Sequence, residues 1–202
     1  KSILKKLSIE NTDITSDDIG YKIAPLINAV GRIGDPKLII DLFTNESIDS
    51  VVKLTKDCFT MNKERKRLTS LVEQEALAIA VSEYRSDRKF LVLSKSEWHP
   101  GIIGIVAARM VDKFNLPTAL LAEANDGNFR GSIRSNHKLK VNQALAECDD
   151  LLIAHGGHSA AAGFSIKKEN IPDLRERLNK IAYREFKNIN LYKTVKPDAY
   201  IS

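Results

Sequence analysis

The sequence predicts an α/β protein in which a long helix leads into a domain of alternating strands and helices. Residues 46–85 contain neither Gly nor Pro and repeat apolar residues at a loosely helical spacing. Beyond residue 87, short apolar runs alternate with amphipathic stretches, which argues a layered α/β arrangement. The chain has 202 residues and is 43% hydrophobic, enough for one sizeable core or two small ones.

The first zone, residues 1–45, opens polar and continues as IGYKIAPLINAVGRIGDPKLIIDLF. Pro25 suits a first helical turn, Gly31 and Gly34 flank Arg32, and Pro36 suits the start of another short helix. The second zone, residues 46–86, follows a cap at Asn45 or Ser47. Its apolar positions include Ile48, Val51, Val52, Leu54, Phe59, Leu68, Leu71, Val72, Ile79 and Val81, interrupted by the charged patch NKERKR from Asn62 to Arg67. A pattern this long exceeds the ordinary globular helix of about 8–20 residues, so one long helix, with room for a single break, is expected to connect two domains.

In the third zone KFLVLSK (Lys89–Lys95), PTALLAE (Pro117–Glu123), FRGSIRS (Phe129–Ser135) and AAGFSIK (Ala161–Lys167) read as strands. GIIGIVAARMVDKFN (Gly101–Asn115), KVNQALAEC (Lys140–Cys148) and PDLRERLNKIAYREF (Pro172–Phe186) read as helices, and Asn125–Gly127 carries turn chemistry.

Lys and Arg number 31 against 26 Asp and Glu, a formal net charge of +5, which permits a polyanionic partner without requiring one. Cys58 and Cys148 lie far apart and form no CxxC pair, so neither a disulfide framework nor a cysteine zinc site is expected, and a reducing cytoplasmic compartment fits. No run approaches the ~20 apolar residues of a membrane span, and no signal peptide is visible. The sequence begins at Lys1 rather than Met, so it is expected to be a piece of something longer.

Three segments are candidates for chemistry. From Gly127 to Ala146 the chain holds Arg130, Arg134, Lys138 and Lys140 and no acid. On a strand, Arg130, Ser132 and Arg134 share a face. Ser135 then brings a hydroxyl and nearby backbone N–H groups to the strand end, where arginine's rigid fork suits phosphate oxygens. A solvated strand face with ordinary positive charge fits the same spacing. In LLIAHGGHSAAAGFSI (Leu151–Ile166), Gly156 and Gly157 allow a close backbone approach or φ > 0, and His158 is placed to donate to a phosphate oxygen. A tight turn capped by His158 fits at least as well, and H-x-x-H without a third ligand is a weak metal signal. Trp98 and His99 precede a helix whose first turn, Pro100-Gly101-Ile102, offers N–H groups and a positive dipole end to an anion. Trp98 fits a core position as well, and Arg109 a surface salt bridge. The carboxylate and histidine clusters of metal-assisted hydrolysis are not found, nor are a Walker loop, GxGxxG or GxSxG. The residues alone therefore argue an anion-binding α/β domain without its own catalytic centre.

IAPLINAVGRIGD (Ile23–Asp35), SEWHPGIIGIVAARMVDKF (Ser96–Phe114) and GSIRS…HGGHSAAAGFSI (Gly131–Ile166) follow one another as in the RecJ-type single-stranded-DNA exonucleases of the DHH phosphoesterase superfamily, which the chain resembles. The two-glycine HGGH and the GRIGD segment are more similar to that family than to related oligoribonucleases and cyclic-dinucleotide phosphodiesterases. Those relatives carry a longer glycine run. The resemblance implies that residues 1–45 are the helical tail of a DHH catalytic domain and that 46–86 form the connecting helix. Residues 87–190 are then a DHH-associated substrate-binding α/β domain, a mixed sheet flanked by helices, and 191–202 begin a following segment. It implies 5′-to-3′ hydrolysis of single-stranded DNA in recombination and repair, with repair or replication proteins as partners and no membrane. Divalent metal, Mn or Mg, would be bound by the N-terminal domain and not by this chain, which alone would be inactive. A domain of another DHH phosphodiesterase and a stand-alone nucleic-acid-binding module are the alternatives.

Residue by residue, the resemblance implies that Arg134 and Ser135, in the GSxRS motif with Ser132, contact DNA phosphates. Gly156, Gly157 and His158 match the motif facing the metal site and the scissile phosphate. Trp98 and His99 match a segment suited to a phosphate or sugar contact, and Arg32 matches the NAxGR arginine beside the cleft. Ile133 stands where the family often has glycine, which bears on how closely DNA approaches the strand.

Overall fold

The structure, a computed structural model, describes residues 1–9, 14–83, 88–136 and 139–187. The chain divides into two compact units, Lys1–Leu71 and Val72–Ser202.

The first unit is helical. It comprises α1 (Ser2–Lys6), a π-helical turn (Asp18–Ile23), α2 (Ala24–Ile33), α3 (Lys37–Thr44) and the start of α4 (Ile48–Glu83). Pro25 sits in the first turn of α2, where its missing N–H costs nothing, and Pro36 is the N-cap of α3. Gly34 ends α2. A Cβ there would lie 2.9 Å from the Met61 sulfur, so glycine lets α4 pack close. Ser47 caps α4 by accepting from the Ser50 N–H at 3.4 Å. The core of this unit is small: Val30, Leu42 and Cys58 are buried, with Ile3, Leu38, Leu54 and Met61 among the residues packed against them.

The expected long helix is one unbroken element of 36 residues. Its buried face differs from the expected stripe. Ile48, Val52, Leu71 and Val81 are exposed, whereas Thr55, Cys58, Thr69, Val72, Ala76 and Ala80 are buried. Short side chains let neighbouring elements approach the helix axis, and Ile48, Val52, Leu71 and Val81 are left outside, while Leu54 and Met61 pack at the margin of the core.

The second unit is built on a mixed five-stranded sheet in the order β1-β2-β3-β5-β4. The strands are β1 (Leu91–Ser94), β2 (Thr118–Glu123), β3 (Phe129–Arg134), β4 (Leu152–Gly157) and β5 (Ala161–Ile166). β1 and β2 pair in parallel across α5 (Pro100–Phe114), and the other pairs are antiparallel. The continuous apolar run of β1 suits a strand covered on both faces. α6 (Val141–Ala146) and α7 (Ile171–Phe186) cover one face, closing a core with Val92, Leu121, Ile133 and Phe164. α5 covers the other face over β2 and β3, where period-2 alternation puts Leu120 and Ser132.

β4 was not among the expected strands; a turn is what HGGH suggests. Here Leu152–Gly157 pairs antiparallel with β5, with an irregularity between Leu152 and Ala154. Among the described residues no helix is long and apolar enough to cross a membrane.

Candidate nucleic-acid-binding site

The register of the sheet assembles the site. Ser132 on β3 stands opposite Gly163 on β5, which stands opposite Gly156 on β4. The flanking rows on the same face are Arg134 beside Ala161, and Arg130 beside Ser165 and Ala154. Arg130, Ser132 and Arg134 are each half-buried, while Phe129, Gly131 and Ile133 point into the opposite core. Ile133 is fully buried there, so its bulk does not stand between β3 and a ligand on the arginine face. Gly131 is forced by packing: the Phe164 ring lies where its Cβ would be.

Past the edge of α5 this face becomes a floor of small residues. Ala154, Gly156 and Gly163 are exposed, and a Cβ on Gly156 would meet no atom within 4 Å. Gly157 differs. Its φ is +143°, and a Cβ would sit 2.5 Å from the Ala161 carbonyl oxygen, so the turn itself demands glycine. The close approach and the tight turn that HGGH suggests are therefore both met, one by each glycine.

At the margin of the floor lies Arg134. Its Nη1 donates to Ser132 Oγ at 2.9 Å and to the Ile133 carbonyl at 2.8 Å, which fixes the guanidinium at the end of β3. Gly104 of α5 makes room for it, since a Cβ there would lie 3.0 Å from both Arg134 Nη2 and Ser132 Oγ. Arg130 donates to Asp126 at 2.7 Å, so its charge is locally balanced. The Ser135 N–H donates to the Ala160 carbonyl at 2.9 Å, and the Val141 N–H donates to the Ser159 carbonyl at 3.0 Å. These two bonds tie the β4–β5 hairpin tip to the end of β3 and to the start of α6. His158 is exposed on that tip, its own N–H held by the Ala161 carbonyl at 2.8 Å. The structure thus brings together Arg134, Ser132, Ser135, the two glycines and His158.

Other expected residues behave differently. Ser135 is only 9% exposed; its Oγ is buried with no hydrogen-bond partner among the described residues and its N–H is engaged, so neither stands open to an oxyanion as the sequence suggests. Trp98 is 3% exposed and its indole N–H donates to Glu75 Oε2 at 2.7 Å, which makes it a packing residue and not a surface for a sugar or base. His99 caps α5: its Nδ1 accepts from the Gly101 N–H at 3.0 Å, and its carbonyl accepts from the Ile102 N–H at 2.9 Å. That capping occupies the first-turn N–H groups of Gly101 and Ile102 that the sequence offered to an anion. Arg109 pairs with Glu73, the surface role expected of it. Arg32 belongs to the helical unit, exposed in the last turn of α2 on a concavity with Asn28, Gly31 and Pro36. His155 Nε2 lies 3.2 Å from Asp149 Oδ1, a carboxylate oxygen that accepts, and His155 stands in register with Phe164, on the face opposite the glycine floor. Lys138 lies outside the described residues.

Residues 87–184 match the DHHA1 domain family. Over 183 residues, 90% of the chain, the sequence is 35% identical to the single-stranded-DNA-specific exonuclease RecJ of Bacillus subtilis. It is 30% identical over 185 residues, 87% of the chain, to the RecJ of Salmonella typhimurium. The crystal structure of RecJ from Thermus thermophilus in complex with Mg2+ superposes with a TM-score of 0.79 at 27% identity, covering 90% of this chain and 28% of that one. The chain is of the RecJ type, with a DHHA1 domain. It spans 23% of the Bacillus relative and 32% of the Salmonella relative.

Within the DHHA1 domain, Cys148 is buried, with its thiol pushed up to about 11 by desolvation, which makes it an inert packing residue. Among the described residues no group of three His, Cys, Asp or Glu side chains could hold a metal.

Proposed function

We propose that this chain supplies the substrate grip of a RecJ-like exonuclease that hydrolyses single-stranded DNA 5′ to 3′ in recombination and repair. The observation that carries the reading is the exposed floor of Ala154, Gly156 and Gly163 bordered by Arg134 and Ser132. A sugar–phosphate strand can lie against glycine backbone with no side chain between. Arg134, held at the end of β3 by Ser132 Oγ and the Ile133 carbonyl, brings its charge to the margin of that floor, where a phosphate would lie. His158, projecting from the hairpin tip, is the residue placed to reach the scissile phosphate.

In this reading residues 1–45 are the tail of a DHH catalytic domain, and 46–86 link it to the DHHA1 domain. The exposed Ile40, Phe43, Ile48 and Val52 support a larger body against this helical unit in the intact protein. Divalent metal, Mg or Mn as in the solved RecJ structures, belongs in this reading to that other domain. The chain by itself is then a binding element without hydrolytic activity.

The test is a salt titration of binding to a labelled, 5′-phosphorylated single-stranded oligonucleotide, comparing the chain with Arg134→Ala. Single-strand phosphate contacts give a log–log slope of about −0.7 each, so the variant is expected to bind more weakly with a slope flatter by roughly that amount. Equal affinity and equal slope would sink the reading.

A further inference from the structure

The helical unit contains a groove of about 720 Å³ that the DHHA1 site does not use. Among the described residues six cations line it, Lys6, Lys22, Lys56, Lys63, Arg65 and Lys66, and no carboxylate does. Lys22 is tied to Asp18 at 2.6 Å, and the Lys6 ammonium lies 4.8 Å from the centre of the Phe59 ring. Lys56, Lys63 and Lys66 are exposed, and none has an ion-pair partner among the described residues. They recur along one side of α4 over about 15 Å at 1.5 Å rise per residue. Such a row meets a ligand that carries repeated negative charge. The groove also presents a ring: Tyr21, on the π-helical turn, is 81% exposed at its wall. A large aromatic face left in water beside a row of ammonium groups suits an unpaired base next to its phosphates. A free polyphosphate has no group that stacks on that ring.

We infer that this groove is a second binding track for single-stranded nucleic acid, separate from the DHHA1 site. None of its residues lies within 87–184, so it stands or falls independently of Arg134. The experiment is fluorescence anisotropy of a labelled oligothymidylate across a salt series. It compares the chain with a variant carrying Lys56→Gln, Lys63→Gln and Lys66→Gln, with Tyr21→Ala and with Arg134→Ala. Glutamine is a good helix former at exposed positions, and thermal melting verifies that the fold is kept. The triple variant is expected to lose at least tenfold in affinity at low salt and to flatten the slope by about 2, three contacts at about 0.7 each. Tyr21→Ala is expected to lose roughly tenfold with the slope unchanged, as a stacking contact does. A triple variant that matches the parent chain overturns the inference, even where Arg134→Ala abolishes binding and the DHHA1 reading stands. Loss in the triple variant with none in Arg134→Ala supports the groove and removes the DHHA1 reading. A flattened slope with Tyr21→Ala unaffected, or inorganic polyphosphate competing as well as the oligonucleotide, overturns the assignment to nucleic acid.

Discussion

Gly156 and Gly157 are adjacent and chemically identical, yet the fold needs only one of them. Gly157 is held at φ +143° against the Ala161 carbonyl, a conformation closed to other residues. Gly156 has ordinary strand geometry and open space where a side chain would go. Gly156→Val is therefore expected to leave the thermal midpoint within the equivalent of about 0.5 kcal/mol, since a β-branched residue suits a strand. On the proposed path it would stand in the way of the DNA, and affinity for a single strand is expected to fall at least about tenfold, near 1.4 kcal/mol. Unchanged affinity would show that the strand does not cross this floor. At this scale the sequence was legible where a period decides the geometry: Arg130, Ser132 and Arg134 share a face because strand side chains alternate. It was not legible where a side chain's partner lies far away in sequence. The burial of Trp98 depends on Glu75, and nothing local to SEWHPG announces that contact.

Between elements, Glu75 joins three parts of the second unit. From α4 it accepts from Lys95 Nζ, just past the end of β1, at 2.7 Å, and from the Trp98 indole N–H, ahead of α5, at 2.7 Å. Lys95 first, and Trp98 second, hold its carboxyl below the ordinary glutamate value of 4.5. A depressed carboxylate contributes stability that is fully present above the unfolded value and lost as pH falls through the folded one. Acidification below 4.5 is thus expected to loosen the contact, and Trp98, the sole tryptophan, reports it through its fluorescence. Glu75→Gln is expected to abolish that acid transition while leaving the neutral spectrum near native; an unchanged transition would assign it elsewhere. The elements themselves were read from apolar runs and caps, which is why β1, β2, β3, β5 and the three helices of this unit were foreseen. β4 escaped because its glycines lower strand propensity and its residues are mostly exposed, so no alternation marks it. The length of α4 was readable from the lack of Gly and Pro. Its buried face was not, because Ala76, Ala80 and Thr69 give a weak apolar signal.

Across the whole chain the two units differ in what holds them. The DHHA1 unit closes a core of many large residues, including Phe90, Phe129, Leu145, Ile166 and Leu174, each almost fully buried. The helical unit closes on Val30, Leu42 and Cys58 and leaves Tyr21, Ile40, Phe43, Ile48 and Val52 in solvent. Burial contributes about 25 cal/mol per Å² of apolar surface, so the helical unit opens at lower free energy. α4 passes from one unit to the other at Leu71 and Val72. A helix draws most of its stability from packing and not from its own propensity, so its two halves need not share one protection. Hydrogen exchange is expected to show amides before Leu71 exchanging faster than those after Val72, with the slowest amides in β2 and β3. If residues 1–45 belong to a larger catalytic domain, the same amides in the longer protein should exchange more slowly, because a neighbouring body would cover Ile40, Phe43 and Ile48. Equal protection along all of α4 in this chain would mean that both units open together. It would also mean that the exposed apolar residues of the helical unit cost it nothing, and a covering domain would lose its support.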